Sequence, residues 1–297
     1  MLSRSSWLHL RIPFSYFLLP VFLFATAVSP NITGSNLLWS FLIIHLLLYP
    51  ASNGYNSYFD KDEKSIGGLK NPPPVKKGLY HLALLFDVVA VLLGALKINL
   101  TFAVMLVIYG LVSKAYSHPA VRLKKYAITG WFAAGVFQGI FTFVMCYVGI
   151  NGYGLENVTK VDVLIPGLLT TIMLWANYPM TQVYQHEEDG KRGDRTLSIL
   201  LGIRGTFIFA GLVFAVAGAG FVMYFNAFTS PKYASAFVIA IVPVVIYFLI
   251  WFFKTYRNLD NASFGYTMWL NFISATCLNI FFIYLFLDAT HILQLYR

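Results

Sequence analysis

An all-helical integral membrane protein with nine transmembrane helices is the fold class this sequence predicts, and three observations carry it. Of its 297 residues, 58% are hydrophobic and 11% are charged, against about 25% charged in an ordinary soluble domain. Nine apolar stretches each approach the roughly 20 residues that cross a bilayer core. Lysine and arginine, finally, gather on alternate sides of those stretches. Mean hydropathy is +0.68.

The stretches run roughly over 11–29, 36–55, 79–96, 99–116, 128–150, 163–185, 205–225, 233–254 and 265–292. The first follows Arg4 and Arg11 and holds Ala25-Thr26-Ala27, which is like a cleavage site. Its apolar run exceeds the about 7–15 residues of a signal-peptide core, so it reads as a retained span. The second ends in Asn53-Gly54-Tyr55-Asn56 and leads into a polar loop. The third carries a lone acid, Asp87, a functional candidate by its position or the partner of a neighbouring helix. Gln138 and Asn177 lie in the fifth and sixth, where polar residues line cavities or join helices. His45 and His81 read as structural, and Asp288 as interfacial. Cys146 and Cys277 lie inside apolar runs and read as small hydrophobes rather than a disulfide. Of the 27 Phe and 19 Tyr, lipid-facing positions account for most, leaving some to line an apolar cavity. No break divides the chain, which reads as a single domain over 1–297.

The N-terminus and the loops after spans 2, 4, 6 and 8 hold 17 of the 21 Lys and Arg. The opposite side has Lys97, Lys160, Lys232 and Arg297. The positive-inside rule therefore places the N-terminus in the cytoplasm and the C-terminus outside. It also explains the net charge of +9 without a nucleic-acid partner. With no organelle presequence evident, a prokaryotic plasma membrane is the simplest location.

Seven of the twelve acids fall in two of the basic loops: Asp60, Asp62 and Glu63 after span 2, and Glu187, Glu188, Asp189 and Asp194 after span 6. If the second helix continues through residue 63, then Asn53, Asn56, Asp60 and Glu63 share one face, with Asp62 off that stripe. Gln182, Gln185 or His186, and Asp189 repeat the pattern. Such oxygen-only stripes suit a hard cation. Mg2+ keeps several waters and takes one or two carboxylates plus substrate phosphates. Two acidic stripes among basic residues thus describe a diphosphate cradle. The plainer reading is a pair of solvated loops.

At these residues the chain resembles the UbiA superfamily of intramembrane prenyltransferases. Asn56-Ser57-Tyr58-Phe59-Asp60 is similar to the first half of that family's NxxxDxxxD motif, whose last Asp position is Lys64 here. Asp189, Gly193 and Thr196 fit DxxxDxxxGxxT in register, with Gln185 in the first Asp position. Tyr116-Ser117-His118-Pro119 and then Arg122-Leu123-Lys124-Lys125 resemble a third signature. Where many members carry Arg-Pro, this chain has Lys70, then Pro72-Pro73-Pro74 and Lys76-Lys77.

The resemblance implies nine helices around a central cavity, with the lipid bilayer as solvent. It implies Mg2+-dependent transfer of a polyprenyl group from a polyprenyl diphosphate to an aromatic or other lipophilic acceptor. By it Asp60 and Asp189 are the catalytic candidates, and Asn56, Asp60, Glu63, Gln185, Glu188 and Asp189 the metal candidates. Asn56, Lys70, Lys114, Tyr116, Arg122, Lys124, Lys191 and Arg195 are candidates to hold the diphosphate. Gly67 and Gly68 would let the intervening loop fold over the head group. Two other readings stand beside this one. The missing Asp positions suit a terpene cyclase or an inactive isoprenoid-binding protein of the same fold, and the acids could form the ion site of a transporter.

Overall fold

The structure, a computed structural model, describes residues 3–290. Among them, nine helices are long and apolar enough to cross a membrane: α1 (Arg4–Ala27), α2 (Gly34–Asp60), α3 (Gly78–Lys97), α4 (Leu100–Ser117), α5 (Ala127–Asn151), α6 (Val161–Met180), α7 (Leu197–Phe228), α8 (Pro231–Arg257) and α9 (Phe264–Ala289). The protein is an integral, multi-pass membrane protein. The expected end of the ninth span at residue 292, Arg297 and the C-terminus lie outside the described residues.

Several helices start where a short polar side chain caps them. The Oγ1 of Thr33 accepts from the Asn36 N–H, Asn99 caps α4 through the Phe102 N–H, and Thr196 caps α7 through the Ile199 N–H. Neighbours in the bundle run α6–α7–α8–α9–α1, while α2, α3 and α4 form a second group, and α5 packs against α1, α2 and α6. Burial follows this order. The most apolar window of α5 is 61% buried, whereas that of α8 is 11% buried and faces lipid.

At the end away from the acidic loops, Phe24 stacks on Phe282 with centroids 4.6 Å apart, and Phe143 and Phe221 close around them. In a bilayer this packing holds helices by dispersion rather than by escape from water.

The helix ends differ from a reading of hydropathy alone, and each difference lies beside the polar loops. Helix α1 begins at Arg4 instead of residue 11 and breaks at Arg11, which adopts φ 49°. Helix α2 continues to Asp60, and Lys61 at φ 51° then ends it. Helix α6 stops at Met180 rather than 185. Helix α7 starts at Leu197 rather than 205 and bends at Gly202, where φ is 67°.

Two spans contain a wide turn, Ile44–Leu48 in α2 and Phe137–Phe141 in α5. In α5 the backbone of Gly139 presses on Thr171, where any Cβ would collide. The Thr171 hydroxyl accepts the freed Ile140 N–H at 2.8 Å. That repair turns Gln138 toward the bundle interior, where it lines the polar chamber described next.

Candidate active site

Two chambers meet inside the bundle. The polar one, about 240 Å³, lies at the end bearing the acidic loops. The apolar one, about 680 Å³, runs between α1, α6, α7, α8 and α9. Phe17, Leu174, Asn177 and Asn271 line both and form the collar between them.

Helix α2 carries Asn53, Asn56 and Asp60 into the polar chamber. The Asn56 amide donates to Ser117 Oγ at 2.9 Å, which ties α2 to the end of α4. Beyond Asp60 the expected helical stripe fails. Lys61 turns left-handed, so Asp62 points back into the chamber and Glu63 is exposed outside it. Helical periodicity assigns these two residues the other way round.

The second stripe is also not one helix. After α6 the chain makes a turn over 181–184, and a short helix, His186–Arg192, follows. Gln182, Gln185 and Asp189 still line the chamber. The Glu188 carboxylate lies outside it, 3.8 Å from Lys191. Thr196, the cap of α7, also lines it. Arg195 is exposed, held by strand-like pairing beside Tyr126.

The third element is the connection after α4. Arg122 sits at φ 46°, and Lys124 is buried in the chamber wall. Among the described residues, the non-glycine positions in the left-handed region are Arg11, Lys61 and Arg122. Arg11 lines this chamber, Lys61 lies between the lining residues Asp60 and Asp62, and Arg122 reaches Asp60 from the edge. Such backbone costs on the order of 1–3 kcal/mol and persists where surrounding contacts over-determine it.

The charges interlock. Asp60 pairs with Lys124 and, at 3.3 Å, with Arg122. Arg122 grips Asp194 with two hydrogen bonds of 2.7 and 2.8 Å. Arg192 bridges Asp62, Asp189 (2.6 Å) and Asp194 (3.4 Å). Arg11, at the break in α1, donates to the Gly67 carbonyl at 3.1 Å and the Asn53 carbonyl at 3.2 Å, and its Nε has no partner.

Burial dominates the titration of the acids. It pushes Asp189 up to about 6, although Arg192 and Lys124 pull the other way. Burial and the neighbouring Asp60 charge raise Asp62 against the pull of Arg192. Asp194 is also opposed by burial, but the Arg122 hydrogen bond and three nearby cations hold it below the usual range. For Arg192, burial works against the charge, and the carboxylates of Asp62, Asp60 and Asp189 outweigh it, so its pKa rises.

The positions where this chain departs from the resembled motifs face one another. Lys64 pairs with Glu187, and the Gln185 amide lies 3.5 Å from the Ser65 carbonyl. Between them Ile66 and Leu69 exchange backbone hydrogen bonds of 2.9 and 2.8 Å around Gly67-Gly68, with Gly68 at φ 85°. A Cβ on Gly67 would meet the Phe14 ring at 2.7 Å. The turn therefore rests on Phe14, and Ile66 and Gly67 roof the chamber.

The expected residues divide as follows. Asn56, Asp60, Tyr116, Lys124, Gln185 and Asp189 line the chamber, and Arg122 reaches Asp60 from its edge. Glu63, Lys70, Lys191 and Arg195 are exposed and not brought to it, because their loops turn them outward. Lys114 points to Asp87 instead and lies 5.3 Å from the Tyr55 ring. That pairing answers the open question of Asp87. Arg11, Arg192 and Asp194 went unassigned in the sequence. Their one signal is local: a cation before Pro13 inside an apolar run, and an Arg-Gly-Asp step beside the second motif.

Comparisons with known proteins agree with this architecture. The model of a family described as the UbiA prenyltransferase family matches residues 17–273. Among solved structures, a UbiA homolog from Archaeoglobus fulgidus bound to DMAPP and Mg2+ is similar, with TM-score 0.69 and 15% identity, over 96% of this chain and 99% of that one. The same homolog bound to GPP and Mg2+ gives 0.64 and 15%, over 95% and 99%. A structure described as digeranylgeranylglyceryl phosphate synthase is also similar, with TM-score 0.60 and 20% identity, over 95% of this chain and 98% of that one. No curated protein matches the chain. At these identities the structural likeness is one of fold.

Proposed function

Because the chain belongs to the UbiA prenyltransferase family, we propose that it moves a polyprenyl group from an allylic diphosphate to a lipophilic or aromatic acceptor. The reaction takes place at the cytoplasmic side of the membrane and depends on Mg2+. The observation that carries this reading is the pairing of chambers. One is walled by Asp60, Asp62, Asp189 and Asp194 with Arg11, Lys124 and Arg192, and it opens through a collar into one without a charged residue. A charged head group and an apolar tail call for that junction.

The donor set suits Mg2+ as part of a complex rather than as a lone ion. Among the described residues, no three His, Cys, Asp or Glu side chains are grouped to hold a metal. Mg2+ needs only one or two carboxylates when phosphate oxygens complete its shell. Asn56, Asp60 and Asp62 on one side and Asp189 on the other would supply them. Bound there, Mg2+ would neutralise charge building on the leaving pyrophosphate.

The remaining work falls to the chain itself. Lys124, Arg122 and Arg192 would bind phosphate oxygens as their carboxylates turn to the metal, and Arg11, held by backbone carbonyls, would offer its unpartnered Nε. The C1–O bond breaks, and the electron pair leaves with pyrophosphate. The acceptor forms its bond to C1 and releases a proton. Phe17 at the collar and Phe207 and Phe214 beyond it line the apolar chamber, and aromatic quadrupoles there would favour the cationic carbon. The apolar wall keeps water from intercepting it. The chamber reaches lipid-exposed Ile208, Leu212, Val245 and Leu249, so a long tail could extend into the bilayer.

Transport has little support. Its intramembrane ionisable residue is Asp87, which Lys114 neutralises. Pyrophosphate release from allylic diphosphates by purified protein, with and without Mg2+ and acceptor, tests the proposal. Asp60→Ala and Asp189→Ala each lower release by about 100-fold or more, with folded protein recovered in normal yield. Full turnover in both variants would sink the reading, and release without any acceptor would favour cyclisation.

A further inference from the structure

Arg192 stands at the centre of the acid set. Its three guanidinium nitrogens each face a different carboxylate: Nη1 bonds Asp62, Nη2 bonds Asp189 at 2.6 Å, and Nε reaches Asp194 at 3.4 Å. Asp62 follows α2 and the other two follow α6, so one side chain joins the two acidic loops that line the polar chamber. The guanidinium uses only Oδ1 of Asp62 and only Oδ1 of Asp189. Among the described residues, no hydrogen bond goes to the second oxygen of either carboxylate.

The oxygen ligands that remain limit what metal this wall can take. Asp194 is closed, because Arg122 holds both its oxygens, at 2.7 and 2.8 Å, and its side chain is 1% exposed. Lys64 and Gln185, at the motif positions where a further Asp would stand, add no carboxylate. That leaves Asp60, Asp62 and Asp189, with the carbonyl of Asn56, whose amide nitrogen is engaged by Ser117. Mg2+ takes one or two carboxylates beside substrate phosphates, so this set serves one ion. A second ion would have to displace Arg192 from between Asp62 and Asp189. A guanidinium is charged at every working pH, and its rigid fork matches carboxylate geometry, so that displacement is unfavourable. The wall is also formally neutral: Arg11, Arg122, Lys124 and Arg192 balance Asp60, Asp62, Asp189 and Asp194. Little net charge is left to draw a second divalent ion.

We propose that the site works with a single Mg2+, and that Arg192 is a catalytic residue that supplies the second, fixed positive charge between the acidic loops. This inference rests on the reading that the polar chamber holds the donor diphosphate. Where two metal ions serve such a site, they share the charge of the reacting oxygens. Here the guanidinium does one ion's share. Its fork binds phosphate oxygens as the C1–O bond breaks and the electron pair leaves with pyrophosphate, much as an arginine stabilises charge in phosphoryl transfer. The free oxygens of Asp62 and Asp189 stay open to the one metal. Because the second charge belongs to the chain, donor binding follows the first power of the Mg2+ concentration.

The test counts metal ions and needs no turnover. Detergent-purified protein is equilibrated by dialysis with labelled geranyl thiolodiphosphate, an unreactive donor analogue, and with Mn2+, which takes the same oxygen ligands as Mg2+. Protein-bound Mn2+ is then measured per bound analogue. Wild type should hold about one. Arg192→Gln releases Asp62, Asp189 and Asp194 from their shared cation and should hold about two. In that variant analogue binding should follow the second power of the Mn2+ concentration. Arg192→Lys keeps the charge and should hold about one. An ion pair that only fastened the loops together would leave the count the same in both variants. Two ions in wild type, one in Arg192→Gln or two in Arg192→Lys would each overturn the inference, and the donor reading would stand. If wild type binds no analogue, both fall; if it binds analogue with no Mn2+, the inference falls together with the Mg2+ dependence. Should Arg192→Gln fail to fold, the wild-type count decides alone.

Discussion

Asp62 and Glu63 are neighbours with the same charge, and only backbone geometry distinguishes their roles. A left-handed Lys61 sends the first into the chamber and the second to solvent. Asp62→Ala is expected to lower pyrophosphate release by about 10–100-fold. Glu63→Ala should stay within about two-fold of wild type, as an exposed side chain off the chamber. Equal losses in both would restore the helical stripe. Asp189 adds a pH dependence. Its pKa is raised to about 6, so it is protonated below that and a carboxylate above. Metal ligation needs the carboxylate. The half-saturating Mg2+ concentration should therefore fall as pH rises through about 6 and then level off. Asp189→Asn should show a weaker Mg2+ response without that inflection. The sign for metal-free stability is opposite. The unfolded aspartate ionises first, so the fold loses stability as pH rises from about 4 to about 6. A thermal melt with chelator follows it.

The elements show which features hydropathy makes legible. All nine spans can be read as apolar runs, because a bilayer demands about 20 such residues of any helix that crosses it. Their ends beside the acidic loops cannot be read that way. There polar residues continue the helix, as in α2, or interrupt it, as at Arg11, and left-handed backbone at Lys61 and Arg11 marks where it stops. The same cause divides the candidate site. Asn56, Asp60 and Asp189 lie in quoted motifs and reach the chamber. Arg11 and Arg192 reach it through turns set by contacts distant in sequence, such as Arg11 with Gly67. The turn at Lys61 can be tested directly. Lys61→Gly should retain turnover and gain up to about 1 kcal/mol of stability, because glycine adopts φ 51° freely. Lys61→Val should lower both, since a β-branched residue is strained there. A glycine variant as impaired as the valine one would mean that the lysine side chain, not the backbone turn, matters.

At the scale of the whole molecule, the two faces can be told apart chemically. A cysteine at Lys191, in the loop between α6 and α7, should react with an impermeant maleimide only from the cytoplasmic side. One at Lys232, at the start of α8, should react only from the other. Cys146 is buried and Cys277 half-buried, so Cys277→Ala gives a clean background. Labelling in right-side-out and inverted vesicles reads the result, and the reverse pattern would overturn the assigned orientation.

The interlocked ion pairs reach further than local stability. Asp60, Asp62, Asp189 and Asp194 are already matched by Lys124, Arg122 and Arg192. On the proposed function, a divalent cation arriving alone is repelled by those cations, and a diphosphate arriving alone by those carboxylates. Together they give each wall a new partner. The protein then behaves as a coincidence detector, and a reactive allylic cation is not generated on a half-assembled complex.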